Sequence, residues 1–279
     1  MKVITLIENT SITDQLKPEH GLSLYIETKF HNILFDTGKT DLFIKNAELL
    51  HIDLKEVDTV IISHGHYDHI GGLMYFLDIN KKATIYLKKA IFDFQYVSVR
   101  DNDRKNIGYP EDLIKYKHRF KCLENTPLSF DDLHIIPKID TDYPLPKGND
   151  MLYKEKDEIL IKDDFKHELV FAINGTNGIH LFCGCAHNGI LNMVSTVKNA
   201  LPNKVIKTII GGFHLIDSNI FVETETDEEL TYIAKELKRL TKGATYYTGH
   251  CTGNNASNKL AILLGNDLIK LATGKAIVV

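Results

Sequence analysis

The sequence predicts an α/β fold in which two sheet-rich halves carry their helices outside. Strand-like and helix-like segments alternate over most of the chain, no Pro/Gly/Ser-rich linker interrupts them, and histidines follow predicted strands in both halves. Two such halves meeting at their loop ends would make a four-layered αββα sandwich, although alternation alone also fits a doubly wound sheet. At 279 residues, 43% hydrophobic and 25% charged, the chain could form one large domain or two small ones. The unbroken alternation favours a single domain over 1–279.

Apolar runs predict strands near Val3 to Glu8, Leu22 to Glu27 and Asn32 to Asp36, with a helix from Thr40 to Leu50 after Gly38. A buried strand at Val57 to Ser63 leads into a histidine-rich loop, followed by the apolar segment Leu73 to Leu77 and a strand at Thr84 to Leu87. The stretch from 88 to 156 has few periodic runs and contains Tyr143-Pro-Leu-Pro146. It reads as an insert over the active-site face, where loops commonly carry specificity. A hairpin then joins Leu169 to Ile173 and Ile179 to Cys183 through an Asn-Gly turn. Next come a helix from Gly189 to Ala200, a strand Val205 to Ile210 and a charged helix Asp227 to Leu240 capped by Thr226 or Thr224. A strand Ala244 to Thr248, a helix Ala256 to Leu264 and a terminal hairpin complete the chain.

The most informative feature is Ser63-His64-Gly65-His66-Tyr67-Asp68-His69-Ile70-Gly71-Gly72, which packs three imidazoles and a carboxylate into six residues at a strand end. Neutral imidazole and carboxylate are ligands for zinc and other first-row ions. A single histidine is usually a core or surface residue; four ligand-type residues in one window are hard to read that way. His64 and His66 can converge on one ion while Asp68 and His69 turn toward a second, so the loop predicts a site for two divalent ions.

Composition excludes several classes. The first eight residues lack a signal-peptide core and no run could span a bilayer, so a cytoplasmic protein without membrane contact is expected. Without export, triplets such as Asn9-Thr10-Ser11 carry no glycosylation meaning. Four cysteines are too few for a disulfide framework. Cys183, Cys185 and Cys251 lie beside candidate histidines, and Cys122 reads as a small buried apolar residue. The net charge of −4 argues against nucleic acid as a partner. Between Lys81 and Lys121, however, eleven Lys/Arg face five Asp/Glu. Solvated surface explains most such runs, and Arg100, Arg104 and Lys105 are the candidates for holding a small anionic substrate.

The motif His64-x-His66-x-Asp68-His69 resembles the signature of the metallo-β-lactamase-fold superfamily. Glu19-His20-Gly21, Asp36-Thr-Gly38, Gly184-Cys185-Ala186-His187-Asn188-Gly189, Gly211-Gly212-Phe213-His214 and Gly249-His250-Cys251 follow in the order of one branch. That branch is typified by archaeal 7,8-dihydropterin-6-methyl-4-(β-D-ribofuranosyl)aminobenzene-5'-phosphate synthases. The resemblance implies the four-layered αββα sandwich over the doubly wound alternative, and a metal-dependent enzyme.

His187 and His250 both follow predicted strands and can stand at the same edge as His64. The expected ligand sets are therefore His64, His66 and His187 around one ion, and Asp68, His69 and His250 around the other. Relatives supply a bridging aspartate after a glycine at a strand end; here Gly184 precedes Cys185, which is either a thiolate ligand or an inert neighbour. His214 resembles a histidine that faces substrate in related hydrolases, and is a candidate general acid or a core residue. Asp36 either orients a metal-bound histidine or caps its turn, and Glu19 and His20 are weaker pocket candidates. A histidine-dominated set favours Zn2+, with iron or manganese admitted by ligand type.

These residues predict a hydrolase acting on a phosphoester, or a lactone or thioester, with Asp68 and His214 catalytic. The resemblance adds a second reading, transfer of a dihydropterin from its diphosphate to ribofuranosylaminobenzene 5'-phosphate. Flavodiiron-like redox chemistry lacks its usual glutamate at the position of His66 and its flavin domain. A binding protein without turnover fits poorly with so complete a ligand set.

Overall fold

The computed structural model describes residues 1–101, 103–217 and 223–279. Two seven-stranded sheets lie face to face. The first runs in the order Ala276–Val278, Lys2–Ile7, Ser23–Glu27, Asn32–Phe35, Thr59–Ile61, Thr84–Lys88, Phe120–Leu123. The second runs Leu268–Lys270, Thr245–Thr248, Ile206–Ile210, Gly178–Phe182, Val170–Gly175, Leu133–Ile136, Leu128–Phe130. Each sheet is antiparallel in one half and parallel in the other.

Side chains alternate across each strand, so one strand feeds two cores. Ile33, Phe35, Ile61 and Tyr86 of the first sheet meet Ile135, Phe171, Ile173, Phe182 and Ile210 of the second. Their neighbours Leu34, Val60, Ile85 and Leu87 face outward against the helices Leu42–Leu49 and Leu73–Ile79. On the second sheet, Ala172, Leu181 and Ile209 pack under the helices Ile190–Ala200, Asp227–Thr241 and Asn254–Leu264. Burial on both faces is why these strands read as continuous apolar runs. Four layers result, αββα. Thr226 caps the charged helix through a capping box with Glu229.

Three expectations need correction. The last two strands form no hairpin: Leu268–Lys270 pairs in parallel with Thr245–Thr248, whereas Ala276–Val278 pairs with Lys2–Ile7 in the other sheet. The stretch 88–156 is not wholly an insert. Its strands Phe120–Leu123 and Leu128–Phe130 with Leu133–Ile136 are edges of the two main sheets. Only Gln95–Arg100, Asp103–Asn106 and Leu152–Lys156, joined by Ile159–Lys162, build a separate four-stranded antiparallel sheet. Cys122 is exposed, because it sits on the edge strand Phe120–Leu123.

Candidate metal centre

The parallel strands of both sheets deliver their carboxyl ends to one place, as open α/β sheets do for their ligands. Asp36 follows Asn32–Phe35, the histidine loop follows Thr59–Ile61, and Cys185, His214 and His250 follow strands of the second sheet. His66 stands just before the short helix Tyr67–Ile70, which carries Asp68 and His69 inward. Glycine permits the close contact of the two halves: a Cβ on Gly184 would collide with Ser63 Oγ. Asp36, His214 and His250 are held at φ of 55°, 51° and 52°, a conformation that tertiary contacts must enforce.

His64, His66, Asp68, His69, Cys185, His187 and His250 are all buried and come together. His64 Nε2 lies 3.1 Å from His66 Nδ1. His69 Nε2 lies 3.0 Å from His250 Nε2 and 3.1 Å from Cys185 Sγ. Asp68 Oδ2 is 3.2 Å from His250 Nε2. Three trios that could hold an ion share one sulfur: His64, Cys185 and His187; His69, Cys185 and His250; and Cys185, His214 and Cys251.

The surrounding hydrogen bonds assign the tautomers. Asp36 Oδ2 accepts from His69 Nδ1 at 2.6 Å and from Ser63 Oγ at 2.7 Å. With its hydrogen given to Asp36, Ser63 Oγ accepts from His64 Nδ1 at 2.8 Å. Asn149 donates to the His187 carbonyl at 2.8 Å and accepts from its Nδ1 at 3.2 Å. Asn9 repeats this arrangement on His250, at 2.9 and 3.3 Å. All four rings therefore turn Nε2 inward. His66 is reversed, with Nδ1 inward and Nε2 4.0 Å from Asp163 Oδ2. His167 receives the Gly65 amide on Nδ1 and donates from Nε2 to Asp163 at 3.0 Å, so it serves as a support rather than a ligand.

Buried glutamates complete the symmetry. Glu8 accepts the His250 amide at 2.6 Å, and Glu168 accepts the His187 amide at 2.9 Å. None of Glu8, Asn9, Asn149, Asp163, His167 and Glu168 was singled out from sequence. Asn9 lies in a triplet without glycosylation meaning, and Glu8 merely ends the first predicted strand. A polar pair at the end of a buried strand was the available signal.

The electrostatics suit cations. Burial, reinforced by neighbouring imidazoles, holds His64 and His187 neutral far below the usual range and pushes His66 down to about 3. Burial opposes ionisation of Asp68, but His69 and His250 outweigh it and keep the carboxylate charged. Burial likewise opposes charge on His250, yet the hydrogen bond to Asp68 lifts it to about 9. In the protein alone that proton occupies a position a metal cation would take. Among the described residues, His66 Nε2, His187 Nε2 and both ring nitrogens of His214 are buried without a hydrogen-bond partner. Inward lone pairs, a charged carboxylate and a thiol at contact distance fit divalent metal ions.

A cavity of about 400 Å³ opens over this cluster, lined by His20, Tyr67, Arg100, Lys105, His214 and Asp217 among others. Its wall is the hairpin Gln95–Arg100 with Asp103–Asn106. Strand alternation corrects one expectation: Asp103 and Lys105 face the cavity, whereas Arg104 points away and pairs with Glu155. Glu19 is also removed from the pocket, since its carboxylate accepts from Lys39 N, Thr40 N and Thr40 Oγ1 and ties down that loop. His20 stays at the mouth, 56% exposed by its side chain and 3.3 Å from Asp68 Oδ2. Among the described residues, no helix is long and apolar enough to cross a membrane.

The sequence profile described as the metallo-beta-lactamase superfamily matches residues 16–152. A Methanocaldococcus jannaschii 7,8-dihydropterin-6-methyl-4-(beta-D-ribofuranosyl)-aminobenzene-5'-phosphate synthase is 31% identical, over 99% of this chain and 96% of its own. The chain belongs to the metallo-β-lactamase superfamily. Superfamily structures agree: Tm1679, described as a metal-dependent hydrolase of the β-lactamase superfamily, superposes with a TM-score of 0.85 at 28% identity, covering 100% of this chain and 99% of its own. Zn(2+)-bound PqqB from Methylobacterium extorquens, with a TM-score of 0.58 at 11% identity over the whole of both chains, shares the superfamily fold.

Proposed function

We propose that this protein is a metal-dependent hydrolase acting on a phosphoester or similar small anionic substrate. The observation that carries the proposal is the convergence of inward-facing imidazole nitrogens, Asp68 and Cys185 on the floor of a cavity whose wall presents Arg100 and Lys105. His64, His66 and His187 would hold one divalent ion, and Asp68, His69 and His250 the other, with zinc suited best to the donors. Bound cations of this kind supply an activated water and polarise the oxygen under attack. Arg100 and Lys105 bind and orient the anion. His214 lines the cavity with its ring centroid 4.1 Å from that of His187, a position from which it would supply a proton to the leaving group.

Elemental analysis of protein purified without added metal should find about two equivalents of ion per chain. A panel of phosphodiesters, lactones and pterins should then reveal turnover that Asp68→Ala abolishes. Metal-free protein of full activity would overturn the reading.

A second reading, transfer of a dihydropterin from its diphosphate to ribofuranosylaminobenzene 5'-phosphate, is favoured by the full-length likeness to the archaeal synthase. Incubation with both substrates separates the two. Coupling without release of the free pterin alcohol supports the transferase, and release of the alcohol alone supports hydrolysis.

A further inference from the structure

We infer that Cys185 is a thiolate ligand shared by both ions of the proposed centre. The inference rests on the metal reading above and assigns the one soft donor in it.

Three buried cysteines lie near the histidines, and the hydrogen-bond geometry separates them. Cys183 directs its thiol at the carbonyls of Ile210 and Gly212, at 3.9 and 3.5 Å. Cys251 donates to the Cys185 carbonyl at 3.4 Å. Cys185 instead meets His69 Nε2 at 3.1 Å, on the side of that ring opposite the Asp36 bond. His250 Nε2 converges on the same His69 nitrogen at 3.0 Å. Two inward ring nitrogens and a sulfur thus converge on one point, the arrangement that an ion bound by nitrogen and sulfur requires.

Membership of both histidine donor groups is what would make the sulfur a shared ligand rather than a terminal one. Cys185 belongs with His64 and His187 and equally with His69 and His250, each group within 4.8 Å. It also lies within that distance of His214 and Cys251. Cys251, whose thiol hydrogen is given to a carbonyl, belongs to neither histidine pair. The position of Cys185 is fixed by Gly184, whose missing side chain lets the second-sheet loop touch Ser63. On metal binding the S–H bond breaks, its proton passes to water, and two sulfur–metal bonds form with no change of oxidation state. With Asp68, the thiolate brings two negative charges to two divalent ions, and its softness favours zinc or iron over magnesium.

Zinc-edge X-ray absorption of the unmodified, fully loaded protein tests the idea. A shared thiolate gives about one sulfur per zinc at about 2.3 Å, a terminal one gives about half that number, and a bystander gives none. Either lower result overturns the proposal while leaving the metal reading intact, whereas failure to take up zinc overturns both. Cobalt(II) loading supplies a second readout. The wild type should show a thiolate-to-cobalt charge-transfer band that Cys185→Ser loses and Cys251→Ser keeps. A band lost in Cys251→Ser and kept in Cys185→Ser would assign the ligand to the wrong cysteine and sink the inference.

Discussion

Asp36 Oδ2 accepts a 2.6 Å hydrogen bond from His69 Nδ1, and the same carboxylate binds Ser63 through both its amide and its hydroxyl. One buried charge therefore orients His69 directly and His64 by way of Ser63. Asparagine tolerates the left-handed backbone found there, so Asp36→Asn keeps the turn while removing the charge. Metal affinity should fall about 10- to 100-fold, measured by chelator competition. Unchanged affinity would show that His69 needs no such support.

Asn9 and Asn149 hold His250 and His187 by the same pair of bonds. Asn9→Ala and Asn149→Ala should each weaken one ion, by about tenfold or more, and spare the other. Stepwise removal by chelator, followed by metal analysis, should change from one phase in the wild type to two in each variant. Loss of both ions together would contradict the division of ligands.

Arg100 and Lys105 face the cavity and Arg104 does not. On any anionic substrate that is turned over, Arg100→Gln and Lys105→Gln should raise KM on the order of tenfold, about 1.4 kcal/mol. Arg104→Gln should leave KM unchanged, since its partner is Glu155. Steady-state kinetics of the three variants checks this, and equal effects from all three would remove the argument from strand alternation.

Far from the site, His31 joins the sheets, with Nδ1 2.9 Å from Asp58 Oδ1 and Nε2 3.0 Å from Asp131 Oδ2. Burial alone would lower its pKa, but the two carboxylates outweigh that and raise it. A raised folded-state pKa contributes stability that is complete below the unfolded value, about 6.5, and lost as pH rises through the folded value. Thermal melts should therefore show His31→Gln more destabilised, relative to wild type, at about pH 6 than at about pH 9. A difference that grows with pH would reverse the assignment.

Much of this was legible before any coordinates. Strands such as Asn32–Phe35 and Thr59–Ile61 are buried on both faces and announce themselves within apolar runs, and the loop from His64 to His69 announces its chemistry by density. Partner choice was not legible. Leu268–Lys270 and Ala276–Val278 are each three residues long, and nothing in so short a run says that they join different sheets. The edge strand holding Cys122 alternates too weakly to show its exposure. Arg104 and Lys105 look alike as a basic pair until the strand through them is known. Asp163 and His167 act on His66 through contacts made by a residue about a hundred positions away, which local periodicity cannot encode.

Glu8 holds the amide of His250 across 242 residues of sequence, and that span orders events during synthesis. The histidine-rich loop leaves the ribosome early, when the segments bearing Cys185, His187 and His250 do not yet exist. A nascent chain therefore carries only a partial set of donors, and cargo captured then would be poorly gripped. A complete donor set would exist only once His250 has been made, so the distance between Glu8 and His250 would act as a clock on maturation.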